Sequence, residues 1–94
     1  MTTYVMVRYR VSDEAAYARY RELAGPVHGL FGGKLVAKGA DVEVLEGGDG
    51  LPNFVLLEFP DSDAARGWYH SDDYQSARAV RGNAGDMTIS IIEG

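Results

Sequence analysis

Apolar and polar residues alternate along Thr3–Val11. Val5, Val7 and Tyr9 fall on one face and Tyr4, Met6, Arg8 and Arg10 on the other, the period-two pattern of a strand. After Ser12-Asp13, suited to cap a helix, the period lengthens. Ala16, Tyr20, Leu23, Val27 and Leu30 recur at helical spacing, with Tyr17, Ala24 and Phe31 beside them, so one wide apolar stripe is expected. Gly25-Pro26 interrupts it and predicts a kink or restart, because proline removes a backbone donor and clashes with the preceding turn. Gly32-Gly33 ends the helix. Lys34–Lys38 reads as a second strand, bent at Gly39-Ala40 and continued through Asp41–Glu46, where Val42 and Val44 alternate with acids. The glycine-rich stretch 47–53 is a loop by composition.

Phe54–Phe59 is a third strand, apolar on both faces except at Glu58, and Pro60 stops it. Asp61 or Ser62 caps a second helix whose inner stripe is Ala64, Ala65, Trp68 and Tyr69. Ser71-Asp72-Asp73 is a fresh helix start, so a break is expected near His70, with Tyr74, Ala77, Arg78 and Arg81 on one side of the second piece. Residues 82–85 form a turn. Asp86–Glu93 is the last strand, with Met87, Ile89 and Ile91 opposite Thr88, Ser90 and Ile92. The order β-α-β-β-α-β predicts a single α+β domain over residues 1–94. Its fold is ferredoxin-like, a four-stranded antiparallel sheet with two helices on one face. The other sheet face carries more apolar side chains than a solvated face should. A second copy of the chain, packed sheet against sheet, is the expected cover.

Composition narrows the partners. The chain has no cysteine, so disulfides and thiolate metal sites are excluded. Nine basic against fourteen acidic residues give a net charge of −5, which makes nucleic acid a poor partner. No apolar run is long enough to span a bilayer, and the start lacks a signal-peptide pattern, so no membrane association and a cytoplasmic location are expected.

The stretch Glu58-Phe59-Pro60, then Ala64-Ala65, then Trp68–Arg78 (WYHSDDYQSAR) resembles a bacterial domain-of-unknown-function family of the dimeric α/β-barrel superfamily. Tyr17 and Tyr20, Gly32-Gly33, Val44–Gly47 and Glu93-Gly94 extend the resemblance over nearly the whole chain. It implies a ferredoxin-like homodimer whose two sheets form a barrel. Lys34 and Lys38 stand where the resemblance leads one to expect arginine, and lysine offers a point charge in place of a bidentate fork. The wider superfamily includes cofactor-independent monooxygenases and lactone isomerases as well as haem enzymes, so function has to be argued from the site.

Several residues could carry chemistry. A carboxylate at Glu58 in an apolar strand must be paired or protonated. It is either a proton acceptor in a pocket or half of an ion pair with Arg8, Arg10, Arg78 or Arg81. Tyr17, Tyr20, Trp68, Tyr69 and Tyr74 either line a cavity for a flat ligand or simply form the core of a small domain. Tyr74 and Arg78, one helical turn apart, are the pair least expected to be pure core. His28 and His70 share no metal-ligand spacing, so neither a metal nor any other cofactor is expected. The ligand-binding set expected from the sequence is Tyr17, Tyr20, Glu58, Trp68, Tyr74 and Arg78. It would hold a small apolar or aromatic molecule between sheet and helices of a homodimer. One alternative is a cofactor-independent monooxygenase or isomerase moving protons through Glu58, Tyr74 or His70. Another is a structural dimerisation module with no ligand.

Overall fold

The computed structural model describes residues 2–93; Met1 and Gly94, the latter part of the Glu93-Gly94 match, lie outside them. The strands are β1 (Thr3–Val11), β2 (Lys34–Gly39), β3 (Asn53–Phe59) and β4 (Gly85–Glu93). The helices are α1 (Glu14–Ala24), the single turn α2 (Val27–Leu30), α3 (Ser62–His70) and α4 (Asp72–Arg81). The sheet runs β2-β3-β1-β4 with every pairing antiparallel, the ferredoxin-like arrangement.

Local chemistry places the helix ends where the sequence predicts them. The Asp13 carboxylate accepts the Ala16 amide at 3.1 Å and Asp61 accepts that of Ala64 at 2.7 Å. Ser71 joins α3 to α4 through both ends of its hydroxyl. It donates to the Trp68 carbonyl at 2.7 Å and accepts the Tyr74 amide at 3.1 Å, while its own backbone is extended. The break beside His70 is therefore capped on both sides. At Gly25-Pro26 the first helix stops and α2 restarts it.

The core lies between the helices and one sheet face. Val5, Val7, Leu57 and Phe59 meet Tyr17, Tyr20, Val27, Ala65, Trp68, Tyr74 and Ala77 there, all buried. The helical stripe is narrower than expected, because Leu23 and Leu30 are exposed. The register fixes the other face. Tyr4 pairs with Glu58 and with Ile92, Met6 with Leu56 and Ser90, and Arg8 with Phe54 and Thr88. Paired residues share a face, so this second set points away from the helices.

Two features of β2 depart from simple alternation. Strand β2 ends at Gly39, and Asp41–Glu46 is loop rather than strand. Asp41 sits at φ 53°, a left-handed conformation that breaks an extended run. The loop is instead tied to β1: Arg8 donates to the Leu51 carbonyl at 2.7 Å and pairs with Asp49 at 3.3 Å, and Arg10 donates to the Gly50 carbonyl. Within β2, a bulge between Leu35 and Ala37 shifts the register. Leu35 opposes Leu57 and Lys38 opposes Val55, so both turn towards the helices although three positions separate them.

Candidate functional site

The side chains under α1 and α4 do not fill the space above the sheet. A cavity of about 540 Å³ remains, within the size range of small-molecule sites. Its floor is Val7, Val55 and Leu57 of the sheet, and its walls are Tyr9, Tyr17, Tyr20, Trp68 and Tyr74. Tyr9 and Tyr17 stack with centroids 5.2 Å apart and 11° between planes, Tyr17 tilts onto Tyr20 at 5.3 Å, and Trp68 packs on Tyr74 at 4.7 Å. This is a continuous aromatic lining.

Polar atoms enter the lining at a few points. The Tyr20 and Tyr74 hydroxyls are 2.9 Å apart, and Arg81 donates to the Tyr74 oxygen at 3.3 Å. The same guanidinium lies over the Tyr20 ring, 5.1 Å from its centroid, and contacts the Met87 sulfur at 2.8 Å. One hydrogen is shared between the two phenols. The other finds no acceptor within this group, whichever phenol donates. The Trp68 indole N–H is likewise buried without a partner among the described residues. Burial drives the Tyr17 and Tyr20 hydroxyls well above the usual phenol range. The Tyr9 phenol adds to this at Tyr17 and Tyr74 adds to it at Tyr20, so both keep their protons well into alkaline solution.

Arg21, His28 and Lys38 also line the cavity, and among the described residues no carboxylate does. Arg21 lies over the Tyr17 ring, 4.8 Å from its centroid. Burial lowers the pKa of His28 and favours the neutral imidazole.

Of the six residues expected to bind ligand, Tyr17, Tyr20, Trp68 and Tyr74 line this cavity. Glu58 does not. Its register partners, Tyr4 and Lys34, put it on the helix-free sheet face, with the sheet between it and the aromatic rings. Nor does it make an ion pair among the described residues, since Arg8 pairs with Asp49 and Arg10 with Asp86 at 3.5 Å. Arg78 and His70 border a second cavity of about 410 Å³ outside Trp68, between α3, α4 and β4. Glu58, Tyr74 and His70 thus do not converge. The sequence reading missed Tyr9, Arg21, His28 and Lys38 as lining groups, and it placed Arg81 on the right side of α4 without the role it takes. Arg81 lies seven residues after Tyr74, two helical turns along the same face, and that spacing was available to be read. Among the described residues no group of three or more metal-binding side chains comes together, and no helix is long and apolar enough to cross a membrane.

The family model described as a domain of unknown function, DUF1330, matches residues 2–94, and the chain belongs to that family. No curated protein matches the sequence. Among solved structures, the chain is similar to a protein of unknown function from Rhodopseudomonas palustris, with 22% identity and a TM-score of 0.81 over 99% of this chain and 82% of that one. It is similar to a dimeric ferredoxin-like protein of unknown function from Jannaschia sp. CCS1, with 17% identity, a TM-score of 0.72 and full coverage of both chains. It is also similar to SnoaB, a cofactor-independent oxygenase from Streptomyces nogalater, with 13% identity and a TM-score of 0.66 over 99% of this chain and 92% of that one. At these identities the likeness shows the fold.

Proposed function

We propose that this protein is a homodimeric binding domain that holds a small, flat, largely apolar molecule between α1, α4 and the sheet. The observation that carries the reading is the cavity of about 540 Å³ walled by Tyr9, Tyr17, Tyr20, Trp68 and Tyr74. A cleft walled by aromatic rings presents apolar surface that a bound guest would take out of water. Aromatic walls offer a planar guest stacked and edge-on contacts worth about 0.5–1.5 kcal/mol per ring pair beyond area burial. On Tyr20, the spare phenol proton would give such a guest a polar contact.

The second copy belongs on the helix-free face. Tyr4, Met6, Phe54 and Leu56 form its centre and are only half-buried in the single chain, and Ile92 is 45% exposed. The structural neighbour from Jannaschia is dimeric. Glu58, beside Tyr4 and Lys34 on that face, then serves the interface and not the ligand.

Proton transfer is less well supported by the geometry. Of the three residues expected to move protons, only Tyr74 reaches the cavity, and burial raises the pKa of the neighbouring Tyr20 phenol, so its phenolate is scarce at neutral pH.

The test uses the only tryptophan, Trp68, as reporter. A panel of planar aromatic fragments is titrated against the protein and against Ala24→Phe, which places a ring in the cavity from α1. The expected result is a saturable change in Trp68 emission that Ala24→Phe abolishes while the circular dichroism spectrum stays intact. A response of equal size in Ala24→Phe would place the fragments elsewhere and defeat the reading.

A further inference from the structure

Among the described residues, the charged side chains that line the cavity are both cations, Arg21 and Lys38, beside the imidazole of His28 and the phenols of Tyr9, Tyr17, Tyr20 and Tyr74. The chain as a whole carries a net charge of −5, so the cavity's charge is opposite in sign to that of the chain. Arg21 and Lys38 line the cavity, and among the described residues neither pairs with a carboxylate. Arg21 is held over the Tyr17 ring, and Lys38 is turned inward by the β2 bulge. Strict alternation from Leu35 would have pointed Lys38 to the other face. Deeper in, the Tyr20–Tyr74 pair keeps one phenolic proton without an acceptor, because Arg81 already donates to Tyr74. Among the described residues, no aspartate or glutamate lines the cavity.

Resting on the binding reading above, we infer that the natural occupant is an aromatic carboxylate, its ring among Tyr17, Tyr20 and Trp68 and its anionic group between Arg21 and Lys38. A cationic guest would meet two like charges and no counter-charge. A neutral guest would stack equally well but leave Arg21 and Lys38 unanswered. A carboxylate has only acceptors to offer when ionised, which matches two lining cations that no carboxylate pairs among the described residues. The contact is partly open to solvent at Arg21 and Lys38, so its strength falls with added salt, unlike that of the ring contacts.

The experiment is calorimetric titration with three probes of one shape: 2-naphthoate, 2-naphthamide and 2-naphthylmethylammonium. They are run against the full chain and against the double variant Arg21→Gln/Lys38→Gln. The expected result is naphthoate binding at least about tenfold tighter than the amide, with the ammonium weakest. The double variant brings naphthoate down to the level of the amide and leaves the amide unchanged. Equal affinity for naphthoate and amide in the unmodified protein, or a preference for the ammonium, overturns the anion assignment and leaves the aromatic-binding reading standing. An anion preference that survives the double variant overturns the assignment to Arg21 and Lys38. Absence of binding by all three probes overturns the cavity reading and this inference with it.

Discussion

Replacing Tyr74 by phenylalanine removes one oxygen from the most buried ring of the site and nothing else. Tyr74 is fully buried, and its ring contacts with Trp68, Tyr69 and Tyr20 survive the change. Two interactions are lost: the 2.9 Å bond with the Tyr20 hydroxyl and the 3.3 Å contact from Arg81. A neutral hydrogen bond contributes about 0.5–1.5 kcal/mol net. The Arg81 contact is long, so it belongs near the lower end of the charge-assisted range. Arg81 also keeps its position over the Tyr20 ring and against Met87, and the Tyr20 oxygen borders a cavity that water can enter. The expected cost is therefore about 1–2 kcal/mol rather than the larger penalty of a sealed unsatisfied group. For a domain of this length that lowers the melting temperature by roughly 5–15 °C at fixed protein concentration. A thermal melt followed by circular dichroism reads the shift. A double-mutant cycle with Tyr20→Phe should return a coupling of about 1 kcal/mol. A Tyr74→Phe protein melting within about 1 °C of the parent, with no coupling in the cycle, would refute the hydroxyl network as an energetic unit.

Further outcomes follow from the same contacts. Tyr17 and Tyr20 keep their protons in the folded state well past the ordinary phenol value of 10.0, while the unfolded chain releases them there. The unfolded state then binds fewer protons, so stability falls as pH rises above about 10, by about 1.4 kcal/mol per pH unit per phenol. Urea midpoints across that range should drop less steeply in Tyr17→Phe and Tyr20→Phe; identical slopes would show that neither phenol keeps its proton longer in the folded state. His28, with its pKa held down by burial, should make stability fall as pH drops below about 6.5, and His28→Gln should flatten that limb in the same urea series. Glu58→Gln should leave the affinity for a cavity ligand unchanged in calorimetry, because the sheet separates the two; weaker binding would mean that the carboxylate reaches the ligand after all. A Cβ at Gly85 would run into the Arg10 carbonyl across the β1–β4 pairing, so Gly85→Ala should cost about 2–3 kcal/mol in chemical denaturation.

Most of the fold was readable because its signals are local. Alternation gave β1 and β4, a continuous apolar run stopped by Pro60 gave β3, the capping residues Asp13, Asp61 and Ser71 gave the helix starts, and Gly25-Pro26 gave the restart. What escaped depends on register and long-range capture. The predicted strand over Asp41–Glu46 has the right alternation, but Asp41 turns left-handed and the loop beyond it is held by Arg8 and Arg10 from β1. No periodicity within 41–46 encodes those partners. The same holds at the site. The aromatic rings were legible from helical spacing, whereas Lys38 faces the cavity only because one extra residue enters β2. Glu58 stood out for its chemistry, but which side of a strand meets the helices is settled by its neighbours in the sheet.

Whether the cavity is a ligand site is tested most directly by native mass spectrometry of the purified protein, set against the denatured mass. The expected result is a dimer carrying up to one non-covalent small aromatic acid per chain, either as purified or after incubation with 2-naphthoate, and loss of that mass in Ala24→Phe. A dimer that stays bare under both conditions, or one that retains the added mass in Ala24→Phe, would contradict it.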